Sequence, residues 1–435
     1  MLCSIKHSNI GKELETLTDF HANGSYEDIA KHFRLLDTKN YAYMVRTTDL
    51  EHENYEYDVK YVTRDCYDYL NKSRVYGGEV LINKIGSPGQ TYLMPCLNKP
   101  VSLGMNLFML RMKENSVINN ITLYLYLNSK IGKSLITRDI NGTVPLTIDK
   151  ESVRNVLVPV FTKNFQNLLS HVLKMREGFF ENANNLFKQA QDILNKELGI
   201  TNIENTKNYS VKSFSESFGE SNRLDAEYYQ DKYDSIKELL DTKENVESLC
   251  HIYDNNYIPT NKQKYQYIEL SNIGVNGEIS GVEFFNGKEL PTRARRLVKK
   301  NQVIISSVEG SLQSCALITE EYDGALCSNG FFIIDSDCIS SETLLILFKS
   351  VPIQSLLKQR CSGTILTAIS NDELKKIPLP FIKLIVQKEI TQKVQESFKL
   401  RKDSKNLINV AIRAVEIAIE KNEEYASQWL IENSN

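Results

Sequence analysis

The chain carries its own sequence twice. Gly142-Thr143-Val144-Pro145-Leu146-Thr147-Ile148 returns as Gly363-Thr364-Ile365-Leu366-Thr367-Ala368-Ile369, 221 residues later. The same offset lays Val156-Leu157-Val158-Pro159 on Ile377-Pro378-Leu379-Pro380. Upstream, Val80-Leu81-Ile82 falls on Val303-Ile304-Ile305 and Thr48-Asp49-Leu50 on Ser271-Asn272-Ile273, both at an offset of 223. Each match alone is weak, but four at nearly one spacing rarely arise by chance. A period this long implies duplicated domains rather than a solenoid of short repeats. Two similar domains on one chain suggest that it reads two similar things at a fixed separation.

Residues 41–160 are rich in Tyr, Val, Ile and Thr and broken by Gly, Asn, Asp and Pro, which reads as short strands and turns. Residues 261–380 read the same way, with Val303–Val308 as a buried strand. After each region the apolar period lengthens from 2 to about 3.5. The first stripe is Phe165, Leu169, Val172, Phe179, Ala183, Leu186, Ala190 and Ile193, and Gly199 supplies a stop. The second runs through Ile390, Val394, Phe398, Ile408, Ile412, Val415 and Ile419. Stripes of this spacing fit two long helices paired with each other; helices packed separately on their own domains are the alternative. The fold class expected is α+β: two similar domains of mixed short strands and helices, separated by two long antiparallel coiled-coil helices. The expected boundaries are 1–160, a first long helix at 161–199, a polar connector at 200–222, a second domain at 223–383 and a second long helix at 384–435. A short helix is expected over Asp225–Leu240, without a copy in the first half.

Enzyme motifs are missing. The chain has no G-x-G-x-x-G, no P-loop, no G-x-S-x-G elbow and no Asn-Pro-Pro-aromatic motif of an amino-methyltransferase. Its six histidines are scattered without metal-ligand spacing, and His171 reads as a solvated or interhelical residue of the first long helix. The eight cysteines show no C-x-x-C pair, so reduced thiols are expected rather than a zinc site or disulfides. With neither a signal-peptide core nor a long apolar run, the expectation is a cytoplasmic protein without membrane span, cofactor or metal.

A net charge of −3 rules out a bulk polycation, so any nucleic-acid contact needs local basic patches. The densest is Pro291–Lys300, where Arg293, Arg295, Arg296, Lys299 and Lys300 come without an acid. Such clusters suit phosphates, since each neutralised phosphate releases counterions; a solvated turn is the plainer reading. Lys130, Lys133 and Arg138 form a thinner cluster before the first Gly-Thr segment. Lys84 and Ser87 occupy a Gly-bearing loop after a strand, and Ser307, Ser311 and Gln313 occupy its counterpart. Small polar loops can approach a backbone or a base edge closely, and they are also ordinary hairpin turns. The Gly-Thr segments themselves read first as packing elements.

Taken together these residues resemble the specificity (S) subunit of type I restriction-modification enzymes. Arg223-Leu224-Asp225-Ala226-Glu227-Tyr228-Tyr229 looks like that family's lead into a target-recognition domain. Ser362-Gly363-Thr364, Ile377-Pro378-Leu379-Pro380-Phe381 and Gln387-Lys388-Glu389-Ile390 look like its Gly-Thr, IPLP and Gln-x-x-Ile ending. The first half departs: Val158-Pro159-Val160-Phe161 is a loose copy, and Phe165-Gln166-Asn167 stands where Gln-x-x-Ile is expected. The resemblance implies two target-recognition domains that bind double-stranded DNA, with no catalytic site. The implied partners are two methyltransferase (M) subunits and, where the complex restricts, a restriction-translocase (R) subunit. A tandem β-domain scaffold that binds proteins and no DNA remains the alternative, with an unrecognised hydrolase behind it.

Overall fold

The computed structural model describes residues 5–140, 142, 146–200, 209–363 and 367–434. Thr143–Pro145 and Thr364–Leu366 of the Gly-Thr segments, Cys3, and residues 201–208 of the connector lie outside the described residues. The chain divides into two compact units, 1–180 with 401–435, and 181–400. The division falls inside both long helices.

The first unit is built on two four-stranded sheets. One is antiparallel, in the order Leu14–Asp19, Leu107–Met112, Val80–Asn83, Thr91–Leu93. The other runs Lys60–Val62, Ala42–Val45, Val101–Leu103, Arg74–Val75, with its central pair parallel. The second unit repeats both. Its first sheet is His251–Tyr253, Phe331–Asp335, Val303–Ser306, Cys315–Leu317, and its second is Glu283–Asn286, Lys264–Ile268, Leu326–Ser328, Ala294–Leu297, again with a parallel centre. Seven of the eight strands recur 220 to 225 residues later, so the duplication read from four short matches extends to strand order and direction.

The apolar runs at these matches have a physical cause. Alternate side chains of a strand point to opposite faces. Val80 and Ile82 enter a core shared with helices, while Leu81 enters the core of the other sheet. Val303 and Ile305 part from Ile304 in the same way. A strand buried on both faces has no polar positions to alternate with. The first unit also has a segment without counterpart, Phe20–Asn23 and Tyr26–His32, which builds a small core from Phe20, Ile29, Met44, Val62 and Leu70.

Each unit continues with a pair of helices, Asn120–Asn128 and Lys130–Thr137, or Ser341–Lys349 and Val351–Gln359. Asn119 and Ser340 cap the first of each pair by accepting the N–H of Thr122 and Thr343. Ser129 and Ser350 mark the joints, each hydroxyl donating to a carbonyl at 2.6 Å.

The first long helix is Lys163–Glu197 and the second Leu384–Glu420. The first ends as the Gly199 signal predicts, with Gly199 at φ 65°. In the first unit Phe165, Leu169, Val172 and Leu173 share a core with Leu407, Ala411, Ala414, Val415 and Ile419. In the second, Phe187, Ala190 and Leu194 share one with Ile390 and Val394. The pairing is antiparallel: in the second unit Lys383 meets Glu197 while Ser397 Oγ donates to the Ala183 carbonyl.

Three expectations need correction. The seam residues are Phe187, Leu194 and Leu407, whereas Leu186, Ile193 and Ile408 are only half-buried. A helix repeat of 3.6 drifts from a 3.5 spacing by about 20° per heptad, which reaches one position over the 35 residues of the first long helix. The seam also holds Ser397 and Ser404, fully buried, whose hydroxyls donate to helix carbonyls; an apolar stripe passes over them. Finally, the second long helix does not reach the C-terminus. It stops at Glu420, and Asn422 caps a separate helix, Glu423–Asn433, which buries Ala426 and Leu430 in the first unit's core.

Candidate nucleic-acid interface

In both units the loop after the central strand and the Gly-Thr segment meet through matching backbone bonds. Gly86 N–H donates to Leu146 O at 3.3 Å and Ile148 N–H to Lys84 O at 3.1 Å. The equivalents are Glu309 to Thr367 and Ile369 to Ser307, both 2.9 Å. Ser362 and Ala368 exchange two further bonds, which closes the base of the second segment. The packing role expected of these segments therefore holds at their described ends.

The side chains at this junction differ between the units. Lys84 is buried, and its ammonium lies 3.0 Å from Asp19, which also receives Lys150 at 2.8 Å. Burial raises the Asp19 carboxyl, but the hydrogen bonds from Lys150 and Lys84 outweigh it and hold the group below its usual range. In the second unit strand register puts Asp254 in the place of Asp19, and the Asn371 amide lies 3.0 Å from it. Ser307 replaces Lys84, its hydroxyl donating to Gly330 O at 2.9 Å. Lys84 is thus an internal strut and is not presented to solvent as the loop reading requires.

Ser87 is exposed at the loop tip. Lys130, Lys133 and Arg138 are exposed, and their helix abuts this loop: a Cβ on Gly89 would meet Ile136 and Thr137 methyls at 3.3 Å. Arg138 is paired with Asp139. In the second unit Gln313 is exposed, while Ser311 is half-buried with its hydroxyl 2.8 Å from that of Ser306.

The basic run falls around an edge strand, Ala294–Leu297. Arg293 is paired with Glu269 at 2.8 Å and Lys300 with Glu320. Arg295 and Arg296 hold the carbonyls of Thr292 and Tyr253, and the buried Arg296 Nε has no partner among the described residues. Lys299 is exposed. The run therefore presents less charge than its composition suggests. It adjoins the post-strand loop through one turn, since Asn329 N–H donates to Arg293 O and Gly330 O accepts from Ser307.

The sequence reading missed Lys150 and Lys349, and it named Arg223 only as part of the lead-in motif, without its contacts. Lys150 follows the first Gly-Thr segment, and only its partner Asp19, 131 positions away, reveals its place. Arg223 donates to the carbonyls of Gln359 and Cys361 while Asp225 holds it at 2.6 Å, so the lead-in motif grips the helix end just before Ser362-Gly363. Lys349 closes an apolar helix; a cation in a last helical turn ordinarily reads as solvated, but this one is buried.

The most exact repeat is a glutamine. Gln387 Oε1 accepts the N–H of Ser340 at 2.8 Å, and its Nε2 donates to Cys338 O and Ile382 O at 3.0 and 2.9 Å. Gln166 makes the same three bonds, to Asn119 N–H, Val117 O and Phe161 O, at 2.8, 2.9 and 3.0 Å. Leu169 takes the buried place of Ile390. Gln166 is therefore the first half's copy of this glutamine, and that half departs from the Gln-x-x-Ile pattern only in having Leu169 where the second has Ile390.

Among the described residues no group of three or more His, Cys, Asp or Glu could hold a metal ion, and no helix is long and apolar enough to cross a membrane. The seven described cysteines are free thiols.

No family model and no curated protein matches the chain. Among solved structures it is similar to the type I restriction-modification S subunit from M. genitalium, at 12% identity over 98% of this chain and 96% of that one, TM-score 0.35. It is also similar to a chain from a study of complex assembly and conformational transition in the type I R-M system, at 10% identity over 99% and 97%, TM-score 0.28. A third is the HsdS subunit from Thermoanaerobacter tengcongensis, at 11% identity over 99% and 95%, TM-score 0.27.

Proposed function

We propose that the chain is the DNA-recognition subunit of a type I restriction-modification complex. Each unit reads one part of a bipartite, asymmetric duplex target, and the chain docks methyltransferase subunits that supply the chemistry. One observation carries this reading: the same two-sheet unit is built twice, with the same backbone junction and the same buried glutamine, yet with different side chains where loop and Gly-Thr segment meet. A repeated frame with divergent contacts suits two readers of different sequences. Lys130, Lys133, Arg293, Arg295, Arg296 and Lys299 serve as phosphate contacts, which position without specifying, and Ser87, Ser307 and Gln313 lie where base edges are read. Lys84 is withdrawn from that role.

The test replaces residues 261–380 with the matching segment of a relative and sequences the methylome of cells carrying the swapped chain with its M partner. One half of the methylated motif should change and the other persist. A continuous palindromic motif, or a change in both halves, refutes the two-reader model. The purified chain alone should neither methylate, cleave nor hydrolyse nucleotide; turnover that survives removal of trace partners points to the hydrolase alternative. Absence of any duplex binding with M subunit present favours the scaffold.

A further inference from the structure

The second unit buries an ammonium group directly behind the loop that carries Ser307, Ser311 and Gln313. Lys349 is the last residue of the helix Ser341–Lys349, and little of it reaches solvent. Its Nζ donates to the Gln313 carbonyl at 2.9 Å and to the Val275 carbonyl at 2.8 Å. One cation thus ties two loops together from the inside. Gln354, on the next helix, adds a bond from Nε2 to Leu312 O at 3.0 Å. Leu312 and Gln313 are therefore both held by their main chains from the core side, which leaves the Gln313 side chain exposed.

Burying a cation without full compensation is expensive, and an apolar residue of similar volume is often as stable or more so. Burial here pushes the Lys349 ammonium down from its ordinary range, with Glu278 opposing the shift. The first unit solves the same place differently. Its equivalent residue, Asn128, is neutral and shorter, donating to Thr91 O at 3.1 Å, at the start of the strand behind the loop. The second unit thus spends a buried charge where the first uses an amide.

We infer that Lys349 is a positioning residue: through the carbonyls of Gln313 and Val275 it sets the loop that reads the second half of the target. This rests on the DNA-recognition reading above. Replacing Lys349 by Met keeps the packing and removes both bonds, so the loop loosens while the fold holds.

The test uses the full chain with its M partner. The probe is a duplex carrying the motif read from the methylome, together with duplexes substituted singly in either half. Lys349→Met should lower discrimination in the half assigned to residues 261–380 by about tenfold, the worth of roughly one base contact. The other half should keep its discrimination. Lys349→Gln, which retains donors without the charge, should restore part of the loss. If Lys349→Met does not fold, Gln354→Leu frees the Leu312 carbonyl of the same loop and is read in the same way. Unchanged discrimination in both halves, or an equal loss in both, overturns the inference. A wild-type complex with no preference for its own motif overturns the recognition reading instead.

Discussion

Removing the buried glutamine should uncouple a long helix from the helical pair beside it. Gln387 is 3% exposed, and its three bonds join the first turn of the second long helix to Cys338, Ile382 and the N–H of Ser340. Gln387→Ala leaves one N–H and two carbonyls without partners. A buried polar group left unsatisfied costs about 1–3 kcal/mol. Water can enter the space vacated by the amide and bridge some of these groups, so the lower end applies to each, giving about 3 kcal/mol in all. Gln166→Ala should cost about the same, because its bonds match one for one. With two compact units a single melting curve is a poor reporter. Hydrogen exchange read peptide by peptide is better: Gln387→Ala should speed exchange across Ser341–Lys349, and Gln166→Ala across Asn120–Asn128. Urea titration gives the total. A loss below about 0.5 kcal/mol in both variants, less than one ordinary hydrogen bond, refutes the claim that this glutamine locks the frame.

Three further outcomes follow from the geometry. Ala411→Asp and Ala190→Asp each place an unpaired charge at a fully buried seam position and should cost several kcal/mol, read as a loss of melting temperature; an unchanged melt in both argues against the helix pairing. Reversing Arg295 and Arg296 to Glu should weaken binding to every duplex alike and flatten its salt dependence, measured by titration at several salt concentrations. The Asp19 carboxyl is depressed in the folded chain, so its contribution is fully present above its unfolded value of about 4 and is lost as pH falls through the lower folded value. Asp19→Asn should therefore reduce stability at neutral pH and flatten the acid limb of an unfolding titration; an acid limb identical to wild type contradicts the ion-pair assignment.

The sequence by itself determined the repeated frame. Val80–Ile82 and Val303–Ile305 are legible because strands buried on both faces can hold only apolar residues, and the long helices because an apolar stripe must find a partner. Gly199 acts within a few positions of itself, so local chemistry suffices for it. Tertiary structure decided the rest, because it depends on partners far away in the chain. Lys84 reads as a loop cation until Asp19, 65 positions distant, neutralises it. Pro291–Lys300 reads as a dense basic patch until Glu269 and Glu320 pair with two of its members. Ser397 and Ser404 look like surface residues until helix carbonyls receive them, and Lys349 looks solvated until the carbonyls of Val275 and Gln313 close around it. Apolar periodicity is written along the chain, whereas the cost of burying a polar group depends on what the fold brings opposite to it.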